Sequence, residues 1–324
     1  MKLKTYEQND LSFVEVDNQK GLKVTLCNLG ASIYSIYFNG EIMTLTPKNP
    51  DDFKRKDFYH GKTIGAIANR VRNGKIKIGE EIYQMSINEE PNTLHGGDRG
   101  ISSVYFKVDI IERPTAVTVK YKFKKPDEFD GLPGTIEYTI VYLFTEEGFG
   151  VEMHAKSDKD TVIALTNHSY FCLGDKNLDN LSFKVKADRF VETNEKDLLP
   201  ISVKQIPECL DFTKGKLLTK DINDDYLQNH RSKGYDHCLL FKGKLFFKPQ
   251  IELSNNKYAL KIKTTYPAVQ IYTSNYPCNV DLINSDEQTL QGIAIEPQDS
   301  LMERIILKAK KEYLRYIEYK FIKK

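Results

Sequence analysis

Apolar residues recur at every second position over long stretches of the chain. In VTVKYKFK, Val117, Val119, Tyr121 and Phe123 alternate with Thr118, Lys120, Lys122 and Lys124. In TIEYTIVYLF, Ile136, Tyr138, Ile140 and Tyr142 keep the same rhythm, as do Leu181, Phe183 and Val185, then Tyr258, Leu260 and Ile262, then Ile317, Tyr319 and Phe321. Successive side chains of a pleated strand point to opposite faces, so these runs predict strands with one buried face. Asn39-Gly40 and Asn73-Gly74 fall between such runs and predict tight hairpins, because both residues tolerate positive φ. Further breaks fall at PDEFDGLPG and LGDKNLDN. In SLMERIILKAKKE, residues 300–312, the spacing of Leu301, Ile305 and Ala309 predicts a short helix. Many strands with few short helices imply an all-β fold, a large antiparallel β-sandwich or barrel. No linker or composition shift divides the chain, so one domain of two packed sheets is expected over residues 1–324.

Composition supports a packed core: 40% of residues are hydrophobic and 11% aromatic. Lys+Arg number 47 against 45 Asp+Glu, so no single-sign field invites nucleic acid or an anionic membrane. Lysine runs such as KGKLFFK and FIKK read as solvated faces. No stretch approaches the roughly 20 apolar residues of a membrane helix. The charged N-terminus lacks the apolar run of a signal peptide. Five cysteines lie scattered without a CxxC pair, which predicts neither a disulfide framework nor a thiolate zinc site. A reducing cytoplasm is the expected location.

Chemistry concentrates in a few loop-like segments. His95 stands in PNTLHGG, where glycines permit close backbone approach to a ligand, and His168 stands in ALTNHSYF. His154 lies on the polar phase of FGVEMHAKS and is expected to face solvent; His60 and His230 sit in charged loops without a supporting pattern. In QGIAIEPQ an apolar run leads straight into Glu296, and partial burial would raise its pKa toward the range of a general base. Asp236 opens another apolar run in GYDHCLLF. Asn69-Arg70 pairs an amide with a guanidinium, a combination suited to hydroxyl recognition. GxGxxG, P-loop, HExxH and GxSxG motifs are absent, so no cofactor or metal is expected.

These segments together resemble the aldose 1-epimerase (galactose mutarotase) family, in the family's order. IGAIANRVRNGKIKIGEEIYQMSINEEPNTLHGG resembles its N-terminal signature, and LTNHSYFCLGD the segment carrying its catalytic histidine. DGLPG, GYDH, PAVQIYTSN and GIAIEPQ are similar to further blocks. The resemblance implies a large antiparallel β-sandwich and a mutarotase acting on a free aldohexose. It implies Glu296 as general base and His168 as general acid, His95 bonded near the reacting centre, and Arg70, Asn69, Asp236 and Gln270 on the hydroxyls. Tyr170, in the histidine segment, joins the binding set. A bell-shaped pH dependence follows, with Glu296 on the acid limb and His168 on the alkaline one. The expected partner is a small sugar, and the chain a monomer or homodimer.

Four departures bear on sugar preference. Ala66-Ile67 replace an aromatic or Arg, Cys172 replaces an Asn, Ala309-Lys310 replace a Pro-Gly turn, and no tryptophan follows the Leu-His-Gly-Gly, where Tyr105 or Phe106 stands instead. Three alternatives remain open. A hexose-6-phosphate epimerase would need Arg70 and Arg72 for phosphate. A sugar-binding module would keep the fold without catalysis. A metal enzyme would use His95, His168, Asp236 and Glu296 as ligands.

Overall fold

The alternating runs do form strands. A computed structural model, describing residues 1–243, 248–286, 288–302 and 305–324, arranges most of them in three antiparallel sheets of nine, six and five strands. The nine-stranded sheet runs from Lys107–Arg113 at one edge through Ala116–Lys125, Ile136–Thr145 and Gly148–Ser157 to the long Glu312–Lys323 strand. It continues through Tyr258–Thr264, Ile251–Ser254, Ser182–Val185 and Lys216–Leu217. The residues predicted to face inward are buried, from Val117, Val119 and Tyr121 to Ile317, Tyr319 and Phe321. Phe123, near a sheet edge, is only partly buried.

The six-stranded sheet orders Tyr170–Phe171, Ile293–Gln298, Ala268–Tyr272, Asp236–Phe241, Ala187–Thr193 and Pro200–Gln205. One face of it carries Ile293, Ile295, Val269, Ile271 and Leu239, which join Leu260, Ile262, Ile317 and Tyr319 of the larger sheet in one apolar core. Phe171 meets Tyr319 across the layers at 5.8 Å between ring centres. Each such large apolar side chain contributes about 1.5–3 kcal/mol on burial. The five-stranded meander, from Lys2–Gln8 to Glu41–Ile42, docks through Phe38 on Tyr258 and Phe321. The fold is therefore an all-β antiparallel sandwich.

Two local expectations fail. Asn39-Gly40 makes its hairpin, with Phe38 opposite Glu41. Asn73 and Gly74 adopt positive φ as well, at 51° and 63°, yet the flanking strands do not pair with each other. Arg70–Val71 pairs with Thr93–Leu94, and Lys75–Ile78 pairs with Glu81–Gln84, so the turn redirects the chain instead of folding it back. No helix forms over the described part of 300–312; residues 303 and 304 lie outside it. Ile305–Leu307 is a strand on Thr161–Ile163, and after a turn within residues 308–311 the Glu312–Lys323 strand begins. Pairing satisfies those backbone groups and wins over a weak four-residue spacing. The single α-helix among the described residues is Asp225–Asn229. None of the described helices is long and apolar enough to cross a membrane. Most of the KGKLFFK run lies outside the described residues.

Candidate active site

Alternation along Ile293–Gln298 sends Ile293 and Ile295 into the core and Ala294, Glu296 and Gln298 to the opposite face. That opposite face is covered too, so Glu296 is only 2% exposed. Gln270 lies directly across from Glu296 in the neighbouring strand, and its amide Nε2 donates to Asp236 Oδ1 in the next strand at 2.6 Å. Tyr170 pairs beside Ala294, and Tyr272 stands opposite Asp236. Three adjacent strands thus present a carboxylate, an amide and a second carboxylate to one space.

His168 is carried above this row by a short segment tied at both sides. Its peptide N–H donates to Lys62 O, its carbonyl accepts from Gly61 N–H, and Asn167 Nδ2 donates to Gly61 O. The next residue, Ser169, accepts the Ile295 peptide N–H, which anchors the segment to the Glu296 strand. The result puts His168 Nε2 at 3.4 Å from Glu296 Oε1, with both side chains almost wholly buried.

The facing wall comes from the Arg70–Val71 and Thr93–Leu94 pair. Asn69 and His95 flank it with positive φ, 66° and 52°, and clasp each other. The His95 peptide N–H donates to Asn69 O, and the Asn69 peptide N–H donates to His95 Nδ1 at 3.2 Å. An accepting Nδ1 puts the ring proton of neutral His95 on Nε2, as a donor. Arg70 is gripped by Glu89 in a two-pronged fork, Nε to Oε2 at 2.6 Å and a terminal nitrogen to Oε1 at 2.8 Å.

All eight residues singled out in the sequence (Asn69, Arg70, His95, His168, Tyr170, Asp236, Gln270 and Glu296) line one cavity of about 410 Å³. That is a size suited to a small organic ligand. Sequence reasoning missed Glu89, Tyr59, Tyr272, Tyr276 and Arg231, which share its lining. Tyr272 could have been found, since it repeats the phase of Gln270 two residues earlier. Glu89 gave no local signal, because its role rests on a contact 19 residues away.

Burial shifts the titratable groups of the site. It raises Glu296 well above the usual carboxylate range, helped by the nearby charge of Asp236. It lowers His168 to about 4. His95 is pushed well below its ordinary value by burial and then by His168 and Arg70. Asp236 is raised by burial, with Arg70 and His230 pulling the other way. Burial thus disfavours the charged form of both members of the pair. That runs against the ionised Glu296 and protonated His168 that the limbs expected from the sequence require.

His230 is buried, bonded to Thr193 and Ser232, and His60 is buried beneath Tyr170. His154, as expected, lies on the polar side, between Glu152 and Glu312. Among the described residues no three His, Cys, Asp or Glu side chains gather as a metal-ligand set, so the metal alternative finds no support. Ala66, Ile67 and Cys172 are fully buried in the apolar clusters and do not line the cavity, and Phe106, not Tyr105, is the buried aromatic.

The family model for aldose 1-epimerase matches residues 12–320. The chain belongs to the aldose 1-epimerase family. It is 29% identical to human galactose mutarotase over 232 residues, which is 70% of this chain, and it spans 65% of that relative's length. It is 26% identical to the aldose 1-epimerase of Escherichia coli K12 over 327 residues, covering 94% and 93% of the two chains. The crystal structure of galactose 1-epimerase from Lactobacillus acidophilus NCFM superposes with a TM-score of 0.90 at 28% identity, covering 99% and 98%. The family is one of isomerases, and the site above is its candidate catalytic centre in this member.

Proposed function

We propose that this member interconverts the α and β anomers of a free aldohexose by general acid–base ring opening and closure, with Glu296 and His168 as the proton-transferring pair. The observation that carries the reading is the buried 3.4 Å contact between these two groups at the cavity wall. Glu296 Oε2, His168 Nδ1 and Gln270 Oε1 are buried there without a protein hydrogen-bond partner. Buried polar groups are rarely left unpaired, and a polyhydroxyl ligand supplies the missing partners.

In ring opening, one group takes the proton of the anomeric hydroxyl while the other gives a proton to the ring oxygen. The C1–O5 bond breaks and the aldehyde forms; rotation about C1–C2 and closure on the other face return both protons. Each group gives once and takes once per cycle, so a pair holding a single proton is sufficient. The resemblance names Glu296 the base of the opening step. A sugar hydroxyl donating to its carboxylate favours that charged form in the complex. His95, as an Nε2–H donor, suits a sugar oxygen. Asn69, Arg70, Tyr170, Asp236 and Gln270 hold the remaining hydroxyls. A reducing cytoplasm is part of the reading, supported by five free cysteines, four of them buried.

Two-dimensional exchange NMR on glucose and galactose, each with its 6-phosphate, tests this directly. Faster exchange of the free sugars supports the reading; no acceleration with any of them sinks it. What weighs against the phosphorylated substrates is that Arg70 is committed to Glu89, while Arg72 reaches toward Asp197 and does not line the cavity.

Two variants probe the binding set. Asp236→Asn should raise KM by about tenfold or more, the loss of one charge-assisted hydrogen bond of ~1.5–3 kcal/mol. Its kcat should move less, and an unchanged KM counts against its placement. Glu89→Gln frees one side of the Arg70 fork and should raise KM by roughly tenfold, about 1.4 kcal/mol. If sugar titrations show no weakening, Arg70 is not a sugar ligand.

A further inference from the structure

His60 is used neither by the proposed chemistry nor by any hydrogen bond of its ring. It is 7% exposed, and both ring nitrogens are buried without a partner. Its faces are fully engaged. Phe58 lies on one side at 4.2 Å between ring centres and 5° between planes, and Tyr170 lies on the other at 3.9 Å and 17°. The three rings form a stack whose last member, Tyr170, is a wall of the cavity. Tyr170 in turn approaches His168 at 5.1 Å and Tyr272 edge-on at 6.1 Å. An imidazole denied both its hydrogen bonds is a costly filler, since a phenyl ring would fill such a slot without unpaired polar atoms. What the ring supplies is a flat surface in van der Waals contact with Tyr170.

We infer that His60 is a positioning residue: by stacking behind Tyr170 it fixes the tilt of that ring beside the Glu296–His168 pair. The inference rests on the proposed sugar site. Once His60 is removed, Tyr170 loses the ring behind it and can rotate or sink away from the ligand. His60 does not line the cavity, so its effect on sugar binding is expected to pass through Tyr170.

The test is a double-mutant cycle on sugar affinity and exchange rate. His60→Ala is expected to raise KM for the better aldose by about tenfold with a smaller change in kcat. His60→Phe, which restores a flat stacking surface, should recover most of that loss. In a Tyr170→Ala background the His60→Ala change should cost less than about twofold more, because the ring it positions is gone. Thermal unfolding of each variant identifies any that fail to fold, and His60→Phe keeps the test open if His60→Ala is one of them. The inference is overturned if His60→Ala leaves KM unchanged, if its loss is undiminished in the Tyr170→Ala background, or if His60→Phe loses as much as His60→Ala. Dissociation constants from saturation-transfer NMR with galactose are measured alongside. If the wild type binds sugar without accelerating exchange, the epimerase reading fails while the His60–Tyr170 coupling is still read from binding. If it binds no aldose, both fall.

Discussion

Glu296→Gln is expected to lower the anomer exchange rate by about 10³-fold, within the ~10²–10⁴-fold range of a positioned acid–base group. Glutamine keeps the shape of the side chain and can still pair with a sugar hydroxyl. It cannot take or give a proton in the catalytic step. Sugar affinity, measured by NMR titration, should therefore stay within about threefold while kcat collapses, the signature of an interaction needed in the transition state. A rate within about threefold of wild type would remove Glu296 from the mechanism.

The same pair sets the pH dependence. With His168 lowered to about 4 and Glu296 raised, the expectation is one shared proton in the free enzyme between the two transitions. Acidification adds a second proton to His168 and leaves no base, so kcat/KM falls as pH drops toward about 4. Alkalinisation removes the proton from Glu296 and leaves no acid, so the upper limb lies above the usual carboxylate range. His168→Asn should erase the acid limb of the residual activity and Glu296→Gln the alkaline one. The opposite pattern would mean that the pair carries its proton on the imidazole before sugar binds.

The sandwich was legible because period-two burial is a local property. Val117 to Phe123 announce a strand whatever lies beside it. Pairing partners are not local, which is why Asn73-Gly74 misled: its backbone conformation matched the expectation, but Arg70–Val71 found Thr93–Leu94 instead. The same holds for the site. Glu296 was visible because an apolar run delivers it into a covered face. Glu89 and His60 were not, since an ion pair to Arg70 and a stack on Tyr170 exist only once distant segments meet. The effect of burial on the two pKa values was invisible for the same reason. Residue type suggested a basic carboxylate and an acidic imidazole, whereas burial pushes both toward their neutral forms.

Lys62→Met is expected to stabilise the protein at pH 7, by about 1–3 kcal/mol. Lys62 is 2% exposed; its Nζ donates to Arg55 O at 3.1 Å and lies 5.1 Å from the centre of the Phe53 ring, and among the described residues it has no carboxylate ion-pair partner. Burial pushes its pKa down to about 8, and the weaker pulls of Cys27 and Asp57 do not restore it. An unfolded lysine titrates near ~10.4, so below about pH 8 the folded state carries a cation disfavoured by roughly 3 kcal/mol relative to the unfolded chain. The unfolded state binds more protons between the two values, so this deficit disappears as pH rises from about 8 to about 10.5. Methionine keeps the unbranched stem and its packing but loses the bond to Arg55 O, which sets the lower end of the range. Denaturant unfolding of both proteins at pH 7 and pH 10 isolates the effect, because every other titrating group is common to the pair. The gain should be largest at pH 7 and should shrink by pH 10. Equal differences at both pH values would show that Lys62 is not titrating in this window. A variant less stable than wild type at pH 7 would show that the Arg55 and Phe53 contacts outweigh the desolvation of the charge.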